Sequence, residues 1–104
     1  MATDEKKSID FTIVPDETGE PLPRVYANFC TIEHSPLDFT LTFCDMGPFR
    51  ARELHEAQVS HTVRAPVKAR LVVPVPLIPG LIAALQENFR RHQESFGPPP
   101  GNLH

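Results

Sequence analysis

Residues 62–97, TVRAPVKARLVVPVPLIPGLIAALQENFRRHQESFG, decide the fold, because the hydrophobic period changes inside them. Val63, Ala65, Val67, Ala69, Leu71 and Val73 alternate with Thr62, Arg64, Pro66, Lys68, Arg70 and Val72, which is the repeat of a strand. Pro66 lacks an N–H for a ladder and so belongs at an edge or a bulge. Beyond Pro74-Val75-Pro76, the positions Leu77, Ile78, Leu81, Ile82, Leu85, Phe89, His92 and Phe96 fall three and four apart, which is one face of a helix. Pro79 and Gly80 lie in its first turn, where a missing N–H costs little, and Gly97 with the prolines after it stops the helix. One long C-terminal helix therefore follows directly on a strand.

Upstream the same reasoning gives three more strands. Leu37, Phe39, Leu41 and Phe43 alternate cleanly with Asp38, Thr40 and Thr42, and Ser35-Pro36 before them is a turn signal, so a hairpin joins this run to Val25–His34. The Val25–His34 run is apolar on both faces and is expected to be central or covered on both sides. Ile9–Val14 alternates up to Pro15 and reads as a short edge strand. Phe49–His61 is charged and shows no sustained period, so we expect a loop insertion there, with at most a helical turn around Arg52–Gln58. The sum is an α+β fold, a four-stranded mainly antiparallel sheet followed by one long helix. It forms a single domain over residues 9–96, between a polar N-terminus at 1–8 and a Pro/Gly-rich tail at 97–104, both expected to be flexible.

Composition narrows the function. The chain of 104 residues carries a net charge of −3, so the basic excess that dominates phosphate-backbone binding is missing and nucleic acid is disfavoured as a partner. No apolar run reaches the length of a membrane span, and the first residues, Met1-Ala2-Thr3-Asp4-Glu5, lack the basic and apolar segments of a secretory signal. The expected address is the cytoplasm, with no membrane partner. Cys30 and Cys44 are too few and too far apart for a zinc site, and both are expected to be buried, reduced thiols.

Candidate chemistry is sparse. His34, His55 and His61 with Glu53 and Glu56 fit no standard ligand spacing, and a solvated loop explains them better than a metal site. A Cys-His nucleophile would need an exposed thiol, whereas both cysteines sit in strands. The five glycines build no phosphate loop and no nucleophile elbow. No cofactor and no enzymatic activity are expected. Four positions remain as binding candidates: Asn28, a polar amide within an apolar strand; His34 beside the hairpin turn; and Lys68 and Arg70 on the last strand. Asn28 is read first as a register-fixing group and second as a ligand contact. Lys68, Arg70, Arg90 and Arg91 are read first as a solvated face paired to Asp38, Glu87 and Glu94.

Taken together, Val25-Tyr26-Ala27-Asn28-Phe29, His34-Ser35-Pro36-Leu37-Asp38-Phe39-Thr40-Leu41-Thr42-Phe43, Val67–Val73, Ala84–Phe89 and Ser95-Phe96-Gly97 resemble domain-of-unknown-function family 3467, a family of short bacterial and archaeal proteins. The family pattern is shorter between Phe43 and Arg70, which marks Phe49–His61 as an insertion. In layout alone, four strands and a long helix also look like the SecB-type export chaperones, a similarity that bears on fold more than on function.

The leading expectation is a non-enzymatic, homo-oligomeric binding or scaffolding module, a homodimer or dimer of dimers, with Ile78, Leu81, Leu85 and Phe89 in its interface. Its further partner would be another protein or an extended polypeptide held in a chaperone-like way. The alternatives are a nucleic-acid or anion-binding accessory protein and a small-molecule or metal sensor.

Overall fold

A computed structural model describes residues 10–48 and 50–99. It is an α+β arrangement of three antiparallel strands, β1 (Phe29–His34), β2 (Asp38–Cys44) and β3 (Val67–Pro74), with helix α1 (Ala51–Ser60) between β2 and β3. A 3-10 turn, Val75–Leu77, leads from β3 into the long helix α2 (Ile78–Phe96). The expected flexible termini fall wholly or largely outside the described residues.

The β1–β2 hairpin follows from its turn chemistry. The Ser35 hydroxyl accepts the N–H groups of Leu37 and Asp38, each at 3.2 Å, and donates to the Asp38 carboxylate at 2.9 Å. Pro36 fixes its own φ within the turn, and the Ser35 N–H closes onto the Asp38 carbonyl at 2.8 Å. The turn fixes the register, with His34 opposite Phe39, Ile32 opposite Leu41 and Cys30 opposite Phe43. β3 continues the sheet on the other side of β2, with Val73 opposite Phe39, Leu71 opposite Leu41 and Ala69 opposite Phe43.

Because paired residues share a face, this register collects Cys30, Ile32, His34, Phe39, Leu41, Phe43, Ala69, Leu71 and Val73 on one side of the sheet. The opposite side carries Thr31, Glu33, Thr40, Thr42 and Arg70 together with Phe29, Cys44 and Val72. A strongly apolar face and a mixed, more polar face result.

Three expectations need correction. The sheet has three strands among the described residues, since Asp10–Val14 is not a strand. Phe11 and Ile13 there are 80% and 93% exposed. Alternation marks a segment able to be a strand, but only a paired backbone makes it one. For the same reason β1 is at an edge, in the order β1-β2-β3, and not central. Its first regular residue is Phe29, four later than the sequence suggests.

Phe49–His61 is the third correction: residues Ala51–Ser60 form the helix α1 and not a loop. Its residues are good helix formers, Ala51, Arg52, Glu53, Leu54, Glu56, Ala57 and Gln58 among them. The Glu53 carboxylate accepts the Arg50 N–H at 2.8 Å, and Arg52 meets Glu56 one turn on at 3.6 Å. His61 ends it in the left-handed conformation, with φ of 57°, its N–H on the Ala57 carbonyl. None of its described residues is buried, which is why no apolar stripe announces it. Exchanging residues 51–60 for a Gly-Ser linker is expected to shift the melting temperature by less than about 5 °C, under roughly 1 kcal/mol for a domain of this size. Calorimetry checks this, and a drop above about 10 °C would show that α1 is held by contacts of its own.

Cys30 and Cys44 are both free thiols, but only Cys44 is buried; Cys30 is exposed. They project from opposite faces of the sheet, so one edge strand leaves Cys30 uncovered while Cys44 lies on the central strand.

The chain alone scarcely has a core. Among the described residues only Cys44 and Val73 are buried. The extensive contacts run between β1 and β2, between β2 and β3, and between α2 and the turn it grows from, so α2 is not laid on the sheet. The radius of gyration is 19.9 Å, against about 13 Å for a compact domain of this length.

Candidate interaction surface

Two uncovered apolar surfaces dominate the molecule. On the sheet, Val25, Ala27, Phe43, Ala69 and Leu71 line a hollow of about 310 Å³. Ile32 and Leu71 remain 60% and 51% exposed on this face. The second surface is on α2. Ile78, Leu81, Ile82, Leu85, Phe89 and Phe96 fall within one side of the helix at 3.6 residues per turn. Leu85 is 63% exposed, Phe89 51% and Phe96 77%.

The charges of α2 stay on its other side and satisfy one another. Glu87 accepts from Arg90 at 2.7 Å and from Arg91 at 2.9 Å, and Arg90 reaches Glu94 at 2.6 Å. Hydrogen bonds from Arg90 first, and then Arg91, hold the Glu87 carboxyl below the usual carboxylate range. Glu87 in turn raises the Arg90 guanidinium. A self-paired fork of this kind gives the helix a water-facing side and leaves its apolar side as the one seeking a partner.

The four binding candidates do not form one site. Asn28 is occupied with backbone: its Oδ1 accepts the Met46 N–H at 2.6 Å, and its Nδ2 donates to the Met46 carbonyl at 3.1 Å and to the Asp45 carboxylate at 3.4 Å. This clamps the entry to β1 against the exit from β2. His34 lies at the other end of the hairpin, its ring 5.7 Å from that of Phe39. Arg70 is on the polar face, where its Nε donates to Thr42 Oγ1 at 3.3 Å. Lys68 has no partner across the ladder, because Cys44 pairs with Val67 and Phe43 with Ala69, leaving Lys68 in an irregularity two residues after Pro66. It borders a shallow hollow shared with Asp45, Glu53 and Arg64. Of the histidine set, His61 closes α1 and His55 lies within it, and no three His, Cys, Asp or Glu side chains gather within reach of one metal among the described residues.

The apolar sheet face is a surface that single-residue candidates miss, although the alternation of Phe39, Leu41 and Phe43 is its signal. Val25 and Ala27, expected within the regular Val25–His34 strand, instead reach the hollow from outside any strand. No helix among the described residues is long and apolar enough to cross a membrane.

Over residues 1–98 the chain matches the family model described as "Protein of unknown function (DUF3467)", and it belongs to that family. No curated protein and no solved structure matches it. The family carries no enzymatic assignment.

Proposed function

We propose that this member of the family is a non-enzymatic binding or scaffolding module that assembles from copies of itself and holds an extended polypeptide. The observation that carries the reading is the pair of uncovered apolar surfaces, one on the sheet and one on α2, with only Cys44 and Val73 buried among the described residues. A fold of this size gains its stability by burying such surfaces, and self-association is the usual means.

The edges of the sheet support the second half of the reading. β3 is bracketed by Pro66 and ends at Pro74, with Lys68 between, features that discourage edge pairing. β1, Phe29–His34, contains neither proline nor lysine, and no strand among the described residues pairs with its outer edge. Such an edge accepts an added strand through main-chain hydrogen bonds. Arg90 and Arg91 are engaged by Glu87 and Glu94, which leaves neither guanidinium free for phosphate.

Fluorescence anisotropy of a labelled, permanently unfolded polypeptide at 50 and 500 mM salt tests this (both about the range where phosphate contacts lose affinity steeply). Binding in the micromolar range that changes less than about tenfold between the two salts is expected. No binding to the polypeptide, or a particle mass equal to one chain, would overturn the reading.

A further inference from the structure

Resting on that reading, we propose that the copies pair by reciprocal exchange: α2 of each chain lies across the apolar sheet face of the other, in a two-fold symmetric dimer. Both surfaces needed for this are on the same chain, and one symmetric operation covers all four at once. A foreign partner that covered one would leave the other in water.

The dimensions agree. From Ile78 to Phe96 the stripe runs about 27 Å, and the seven residues of β2 run about 23 Å. Ile32, Leu71, Ile82, Leu85, Phe89 and Phe96 each keep half or more of their surface exposed, which is several hundred Å² of apolar area per copy, on the order of the roughly 800 Å² each partner gives a standard stable interface. The connection also favours exchange over closure within one chain. Pro74, Pro76 and Pro79 fix three φ angles across the six residues that carry β3 into α2, so the helix leaves the sheet in a set direction and does not fold back. The Glu87, Arg90, Arg91 and Glu94 network then faces water from the outside of the dimer.

Cys30 reports on the arrangement. It stands on the apolar face, paired with Phe43, and is exposed in the single chain. The test is the mass of the full chain by light scattering at micromolar concentration together with native alkylation of Cys30 by N-ethylmaleimide, read by mass spectrometry. Expected is a two-chain mass with Cys30 reacting about a hundredfold more slowly than in the unfolded protein. A two-chain mass with freely reacting Cys30 would overturn the exchange while leaving self-assembly intact, as helix-on-helix pairing would give. A one-chain mass, whether Cys30 is protected or not, would overturn both. Pairing of two sheet faces would also protect Cys30, so Leu85→Cys is added. Oxidation of mixed light- and heavy-isotope chains is expected to yield a peptide joining positions 30 and 85 of different chains, and links confined to Cys30 with Cys30 would overturn the exchange.

Discussion

Glutamate in place of Phe89 is expected to halve the particle mass at micromolar concentration and to weaken self-association by at least about 100-fold, close to 3 kcal/mol. Phe89 lies midway along the apolar side of α2 and keeps half of its surface exposed in the single chain. Aromatic anchors of this kind dominate association energies, and a carboxylate there would be desolvated without a partner, since the nearest guanidinium groups are taken by Glu87 and Glu94 on the far side. Leu81→Glu, two turns earlier, is expected to act in the same direction. Glu94→Gln on the polar side serves as the control and is expected to leave the mass unchanged.

The effect reaches beyond assembly. With so small a core in each chain, folding and association are one equilibrium, so the wild-type melting temperature should rise with protein concentration. Light scattering and melting over a hundredfold concentration range decide the matter. A wild-type monomer with a concentration-independent transition, or unchanged mass in both variants while they remain folded, would remove α2 from the interface.

Asn28→Ala is expected to lower the melting temperature by about 8–16 °C, from a loss near 2 kcal/mol. Its side chain makes both halves of an amide pair with the Met46 backbone, and its own N–H reaches the Cys44 carbonyl at 3.0 Å. Without the side chain, β1 is held to β2 only by its ladder and by the Ser35 turn at the far end. Asn28→Asp is not expected to rescue: it keeps the acceptor for the Met46 N–H but sets a carboxylate beside Asp45. Thermal denaturation at one fixed protein concentration measures the change, and a shift below about 3 °C would mean that the clamp is dispensable.

Several features were legible in the residues themselves. The hairpin follows from Ser35-Pro36 and the alternation of Phe39, Leu41 and Phe43, because turn chemistry and a period of two are local properties. The switch from β3 to α2 follows from the change of period across Pro74-Val75-Pro76, and Asn28 stands out as the one amide in an apolar run, although the structure leaves it exposed just ahead of β1. α1 is the counter-example. Its residues favour a helix, yet a helix with no buried residue among those described carries no stripe, so its charge without period reads as a loop.

Tertiary structure decided what the apolar faces meet. Period shows which side of β1 or of α2 is to be buried, whereas its partner depends on where the chain goes next. The residues at 10–14 alternate like a strand but pair with no strand among the described residues, so β1 is at an edge of the described sheet, and Cys30 on it is exposed. The stripe of α2 fits a sheet face, but three prolines direct the helix away from its own. Sequence alone determined the hairpin, the β3-to-α2 switch and the two apolar surfaces, since these depend on neighbours in the chain. Only the arrangement in space decided that a single chain leaves both uncovered, because burial depends on which surfaces can come within contact distance.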